Sequence, residues 1–129
     1  MKLTDKEISS VIKLSPLDRY KHALKNIAGQ GYLYSIIDEN DDYVIMGTYD
    51  AQPMVSIWPA KEYASRCIDT FGGTHIVEID LDDFLEELIV FFKANSILIN
   101  VFSVDSQSGF VVDWQEFKRD IEGELERYS

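Results

Sequence analysis

The residues best suited to nucleophilic or acid–base chemistry are Cys67, His22 and His75, the only cysteine and the only histidines in the chain. A nucleophilic thiol needs a neighbouring base and some exposure. Cys67 falls instead in the series Ala60, Tyr63, Ala64, Cys67, Ile68 and Phe71, which repeats at helical spacing and reads as a buried packing stripe. His22 lies off the apolar stripe of its predicted helix, and His75 lies in a predicted strand beside Gly73. Together these three residues provide no zinc-ligand spacing. Acid–base catalysis would require a histidine to meet a carboxylate or Cys67 in a cleft, which separation along the chain neither supports nor excludes.

Carboxylates are the other reactive type. Asp80-Leu81-Asp82-Asp83, followed by Glu86 and Glu87, concentrates them, but it lacks the glycine and the later glutamate of a calcium loop. An N-cap at Asp80 with Asp82 and Asp83 in the positive first turn of a helix accounts for three of them. Gly72-Gly73 has no following lysine and no phosphate-cradling pattern, and reads as a helix stop. The expectation is a chain with no catalytic residue, no metal site and no cofactor.

The elements that must position these side chains follow from period and punctuation. Thr4-Asp5-Lys6-Glu7 is a capping box opening a helix with Ile8, Val11 and Ile12 on one face. Ser15-Pro16 opens a second, with Leu17, Tyr20, Leu24, Ile27 and Ala28 as its stripe and Gly29 and Gly31 at its end. The period then changes to strand over 32–37 and 43–49, joined by the polar turn Asp38-Glu39-Asn40-Asp41-Asp42, which predicts a hairpin. A third strand is expected at 54–58, a helix after Pro59, a strand at 74–79, a helix over 81–94, strands at 97–102 and 110–112, and a last helix capped by Asp113 with Glu116. Phe84, Leu85, Leu88, Ile89, Phe91 and Phe92 cover much of the 81–94 helix, which is therefore expected to be the most buried. Arg19, beside the core residue Tyr20, is expected to pair with a carboxylate such as those around Asp80. The order ααβββαβαββα predicts an α+β fold: one domain over 1–129, with a mostly antiparallel sheet of about five to six strands and about five helices.

Composition bounds the function. With 46% hydrophobic and 12% aromatic residues the chain is a folding one. A lone cysteine suits a reducing compartment, the N-terminal residues lack a signal-peptide core, and Leu88 to Phe92 is far too short an apolar run to span a bilayer. A cytoplasmic protein is the expectation, with no membrane contact. Net charge is −11 and asymmetric: residues 1–36 hold six bases and three acids, whereas residues 37–129 hold six bases and twenty acids. Such a surface repels phosphates, so nucleic acid is disfavoured.

Helix caps account for Asp80, Asp82, Asp83, Asp113 and Glu116. The hairpin tip, with Asp38, Glu39, Asp41 and Asp42, is either a solvated turn or an anchor for a basic partner. The last helix, with Glu116, Asp120, Glu122, Glu124 and Glu126, carries the same choice, softened by Lys118, Arg119 and Arg127. Trp58 packs in the core on one reading and anchors an interface on the other. The candidate partner-binding set is Asp38, Glu39, Asp41, Asp42, Tyr43, Asp50, Trp58, Glu86 and Glu87, with Tyr32, Tyr34 and Tyr49 as further aromatic anchors.

Leu14-Ser15-Pro16-Leu17-Asp18-Arg19-Tyr20, Trp58-Pro59-Ala60-Lys61-Glu62-Tyr63-Ala64 and Ile79-Asp80-Leu81-Asp82-Asp83-Phe84-Leu85, with Val101-Phe102 and Gly109-Phe110-Val111-Val112, resemble the bacterial domain-of-unknown-function 2750 family. The resemblance covers nearly the whole chain and implies a compact α+β domain with no established activity. The stretch 32–49 departs from the glycine- and tryptophan-rich segment usual in that family.

Two readings result. The first is a non-enzymatic binding protein of the immunity type, neutralising a basic, nuclease-like toxin domain encoded nearby. The alternative is a stand-alone housekeeping or regulatory domain of unknown ligand whose acidity secures solubility.

Overall fold

The computed structural model describes residues 3–47, 52–105 and 108–127. Among these residues five helices and six strands follow in the order α1 (Asp5–Ile12), α2 (Pro16–Gln30), β1 (Tyr32–Ile37), β2 (Ile45–Gly47), β3 (Pro53–Ile57), α3 (Lys61–Ser65), β4 (His75–Asp80), α4 (81–95), β5 (Leu98–Val101), β6 (Phe110–Val112) and α5 (Trp114–Glu126). The class is α+β.

The helix starts are built locally. Thr4 accepts from the Glu7 amide and Ser15 from the Asp18 amide, with Pro16 in the first turn of α2. Asp80 accepts from the amides of Asp82 and Asp83 at 2.9 and 3.3 Å. Asp113 and Glu116 form a complete capping box. Gly31, at φ 85°, ends α2 in the left-handed region, where a residue without Cβ is unstrained.

The sheet differs from the expected single unit. β1 and β4 form one antiparallel pair, while β2, β3, β5 and β6 form a second ladder in that order. Within the second ladder β3 and β5 run parallel, from Met54 opposite Leu98 to Ile57 opposite Val101. The long crossover through α3, β4 and α4 makes that possible, since parallel neighbours need a connection of a dozen residues or more. Tyr34 and Trp58 exchange backbone hydrogen bonds of 2.9 Å each and join the two ladders.

Among the described residues the expected hairpin between 32–37 and 43–49 is reduced to the Ile37–Tyr43 bridge, flanked by bonds from the Val44 amide to the Ile36 carbonyl and from the Asp38 amide to the Asp42 carbonyl. The full-length partner of β1 is β4, from Tyr32 opposite Asp80 to Ile37 opposite His75. β2 pairs instead with β3. The expected long third helix is also cut short. α3 ends at Ser65, and the chain turns through to Gly72, which has φ 72°.

α4 is not the most buried helix. Only Leu81, Phe84, Ile89 and Phe92 are buried, whereas Val90 is 61% and Phe91 41% exposed. Helical turns at Leu81–Asp83 and Ile89–Asn95 flank a π-helical segment at Phe84–Leu88, in which the Ile89 amide bonds to the Phe84 carbonyl. The wider turn places residues five apart on one side. It turns Phe84 and Ile89 to the core and leaves Val90 and Phe91 outside. Phe84 packs edge-on against Phe92 and Phe117.

A knot of buried polar groups ties β5, β6 and the loop between them to α2. Asn100 donates to the hydroxyls of Ser56 and Ser103 at 3.0 and 2.7 Å and accepts from the Gly109 amide at 2.9 Å. A Cβ on Gly109 would lie 2.2 Å from the Val101 carbonyl oxygen, so this close backbone approach requires glycine. Arg19 enters the same region and pairs with no carboxylate near Asp80. It is 1% exposed and donates to three carbonyls: Nε to Phe102 at 3.1 Å, Nη1 to Leu14 at 2.6 Å and Nη2 to Ser108 at 3.3 Å. Burial lowers its pKa from the usual arginine value.

Candidate functional site: an acidic groove along an edge strand

The tip after β1 is organised by its first carboxylate. Asp38 accepts from the amides of Asn40 and Asp42 at 2.8 and 3.2 Å, and its own amide donates to the Asp42 carbonyl at 2.8 Å. Asp41 sits at φ 63°, a conformation that short polar side chains tolerate. Asp38 therefore holds the turn and is half-buried, while Glu39, Asp41 and Asp42 are exposed. Tyr43 follows directly. It is half-buried, and burial raises its phenol pKa.

Tyr43 contributes to a groove of about 410 Å³ between β4 and α4. Its apolar lining is Tyr43, Val77, Ile79 and Leu88, and its acids are Glu78, Asp80, Asp83 and Glu87. Four consecutive β4 residues line it, and Tyr43 joins them from the far side of β1, where it pairs with Ile37. No lysine or arginine lines it. The ion pairs seen among the described residues, Arg66–Asp105, Arg119–Asp120 and Arg127–Glu124, lie elsewhere. Within the fold, Asp80 accepts the two cap bonds and Glu78 accepts from the Tyr34 hydroxyl at 2.9 Å.

Of the residues singled out from sequence, the structure brings Tyr43 and Glu87 together here. Glu86 is exposed on the same helix but does not line the groove, nor do Asp38, Glu39, Asp41 and Asp42. Asp50 and Tyr49 lie outside the described residues. Trp58 belongs to the core, not to the surface. It is fully buried, its indole donates to the Ser103 carbonyl at 2.8 Å, and its ring packs 5.7 Å from Phe71. Sequence reasoning missed Glu78, Asp80 and Asp83 as parts of this surface. In the sequence Asp80 and Asp83 read as the cap and first turn of a helix. For Glu78 the alternation with Val77 and Ile79 marks an outward position, but nothing in the sequence places it beside α4.

Tyr32 and Tyr34 lead to a second cavity, of about 500 Å³, which also includes His22, Gln30, Glu62 and Tyr63. Several of its polar groups already serve the fold. Gln30 donates to the carbonyls of Tyr32 and Pro59 at 2.8 and 2.7 Å, and Glu62 accepts from the Leu3 amide at 3.3 Å. Tyr34 is pushed up to about 12 by burial, then by its hydrogen bond to Glu78. Burial and then the charge of Lys25 hold His22 below the usual imidazole value. The folded state therefore binds fewer protons at His22 than the unfolded chain does, and stability present above the ordinary histidine pKa is lost as pH falls through it. His22→Gln is expected to flatten the decline in stability between about pH 6.5 and 5. Denaturation midpoints at those two pH values check this; a decline as steep as that of the native chain would assign it to other groups.

Cys67 is buried beside the Ser103 carbonyl, with Sγ 3.6 Å from the oxygen. Burial first, and the charge of Asp105 second, raise its thiol pKa. Among the described residues no three His, Cys, Asp or Glu side chains are placed to hold a metal ion. Nor is any helix among them long and apolar enough to cross a membrane.

No curated protein and no solved structure matches the chain. The model of the family described as Protein of unknown function (DUF2750) matches residues 20–121, which takes in β1, β4, α4 and the whole groove. This chain belongs to that family.

Proposed function

We propose that this is a non-enzymatic, cytoplasmic protein-binding domain of the immunity type, which neutralises a basic, nuclease-like toxin domain through its acidic groove. The observation that carries the reading is the convergence of Glu78, Asp80, Asp83 and Glu87 around Tyr43 with no lining cation. Asp80, Asp83 and Glu78 also serve the cap, the first helical turn and the Tyr34 hydroxyl, but folding does not call for the charge of Glu87. Asp82 and Asp83 benefit from the helix N-terminus, but Glu86 and Glu87 lie beyond the first turn. Each follows an aspartate by about one helical turn, and like charges one turn apart repel. A basic partner would relieve that repulsion. Carboxylates would occupy the site where a nuclease holds phosphate, and Tyr43 would add an aromatic contact.

The experiment is charge reversal at Glu87. Glu87→Lys removes the repulsion with Asp83 and is expected to leave thermal stability equal or slightly raised. Against the recombinant basic domain encoded by the adjacent gene, it is expected to slow association by about tenfold at low salt, with the difference shrinking as salt rises. Stopped-flow association at two ionic strengths reads both effects. An unchanged rate at low salt, or an adjacent gene encoding no basic domain, defeats the reading.

A further inference from the structure

We infer that the partner engages this protein by adding an extended, lysine- or arginine-bearing strand to the free edge of β4. This inference rests on the acidic-groove reading above and specifies its backbone chemistry. The hydrogen-bond alternation determines which groups are available. The Tyr34 amide bonds to the Trp58 carbonyl and the Val44 amide to the Ile36 carbonyl, so the even residues of β1 face away from β4. The Leu81 amide bonds to the Gly31 carbonyl. With Tyr32 opposite Asp80 and Leu33 opposite Ile79, the odd residues His75, Val77 and Ile79 bond inward to β1. The backbone groups of Ile76, Glu78 and Asp80 therefore point outward, and among the described residues no strand covers that edge.

Such an edge is a template for another chain unless it is blocked. β4 runs six residues, pairs in continuous register and contains neither proline nor glycine. The charges it carries, at Glu78 and Asp80, are both negative. That choice decides the occupant. A second copy of this chain would set carboxylates against carboxylates, which is unfavourable for directly opposed residues and worse at a net charge of −11. A strand with cations at alternate positions would meet Glu78 and Asp80 on one face. Its apolar residues would meet Val77 and Ile79 on the other. Backbone bonds would supply affinity and the acids selection, as in other strand-addition complexes.

The test uses the full chain and a synthetic peptide of about ten residues alternating lysine with threonine and valine, a strand-forming composition. Binding is expected to slow amide exchange at Ile76, Glu78 and Asp80 by about tenfold or more, by closing the outward bonds. Two substitutions separate backbone from charge. Glu78→Gln keeps the amide and is expected to weaken binding in a salt-dependent way while retaining the protection. Glu78→Pro removes the same charge and also an outward-facing N–H, which an edge position tolerates; it is expected to bind at least tenfold more weakly than Glu78→Gln. Equal binding by the two variants overturns strand addition and leaves the acidic surface standing. Tight binding with no protection at the three amides does the same, and if Glu78→Pro fails to fold this exchange measurement still decides. Absence of peptide binding overturns the inference. So does a dimer of the free protein that protects β4.

Discussion

Arg19→Ala is expected to destabilise the fold by about 3–5 kcal/mol, a large share of the total stability of a domain this size. The guanidinium gathers three carbonyls from separate parts of the chain: Leu14 between α1 and α2, and Phe102 and Ser108 on either side of the β5–β6 turn. Alanine removes all three donors, and the carbonyl of buried Phe102 has no water to replace its donor. Phe102 also sits at φ 68°, unfavourable for a bulky residue, and its bond to Arg19 helps to hold it there. Arg19→Lys is not a rescue, because one ammonium cannot reproduce a planar fork aimed at three acceptors. Urea denaturation of the purified variants measures the loss. A change below about 1 kcal/mol would show that the loop is held by the Asn100 network alone.

Trp58→Ala is expected to cost a similar amount, about 3–5 kcal/mol, because it opens a cavity where β1 meets β3. It also removes the indole donor to Ser103 and the ring beside Phe71. The informative variant is Trp58→Phe, which keeps much of the volume and loses the donor, for about 1–2 kcal/mol. Since Trp58 has no exposed surface, the folded Trp58→Phe protein should bind a basic partner as well as the native chain does. Calorimetric melting beside a binding titration separates the two roles. Weaker binding at unchanged stability would return Trp58 to the interface.

These two residues also mark where reading the chain succeeds and where it stops. The helix caps at Thr4, Ser15, Asp80 and Asp113 were legible because each is completed within three residues. The α+β class followed from hydrophobic period and turn residues for the same reason. The partners of Arg19 are not legible in the sequence, because its acceptors Phe102 and Ser108 lie more than eighty residues away along the chain. The exposure of Phe91 is hidden in the sequence because a π turn changes the period of the helical stripe. The hairpin inferred from the turn at Asp38 is cut short because β2 pairs with β3 and Trp58 takes the same edge of β1 at Tyr34.

The candidate site divides in the same way. Sequence alone determined that the chain is strongly acidic, that the excess lies after residue 36 and that caps absorb part of it, because charge and capping are properties of composition and near neighbours. It could not determine which of the remaining carboxylates share a surface. That depended on the pairing of β4 with β1 and on the path of α4, which together bring Tyr43, Glu78 and Glu87 to one groove and leave Asp38 in its turn. Strand partners and helix paths are selected by the burial of side chains distant in sequence, and only the assembled tertiary structure contains that choice.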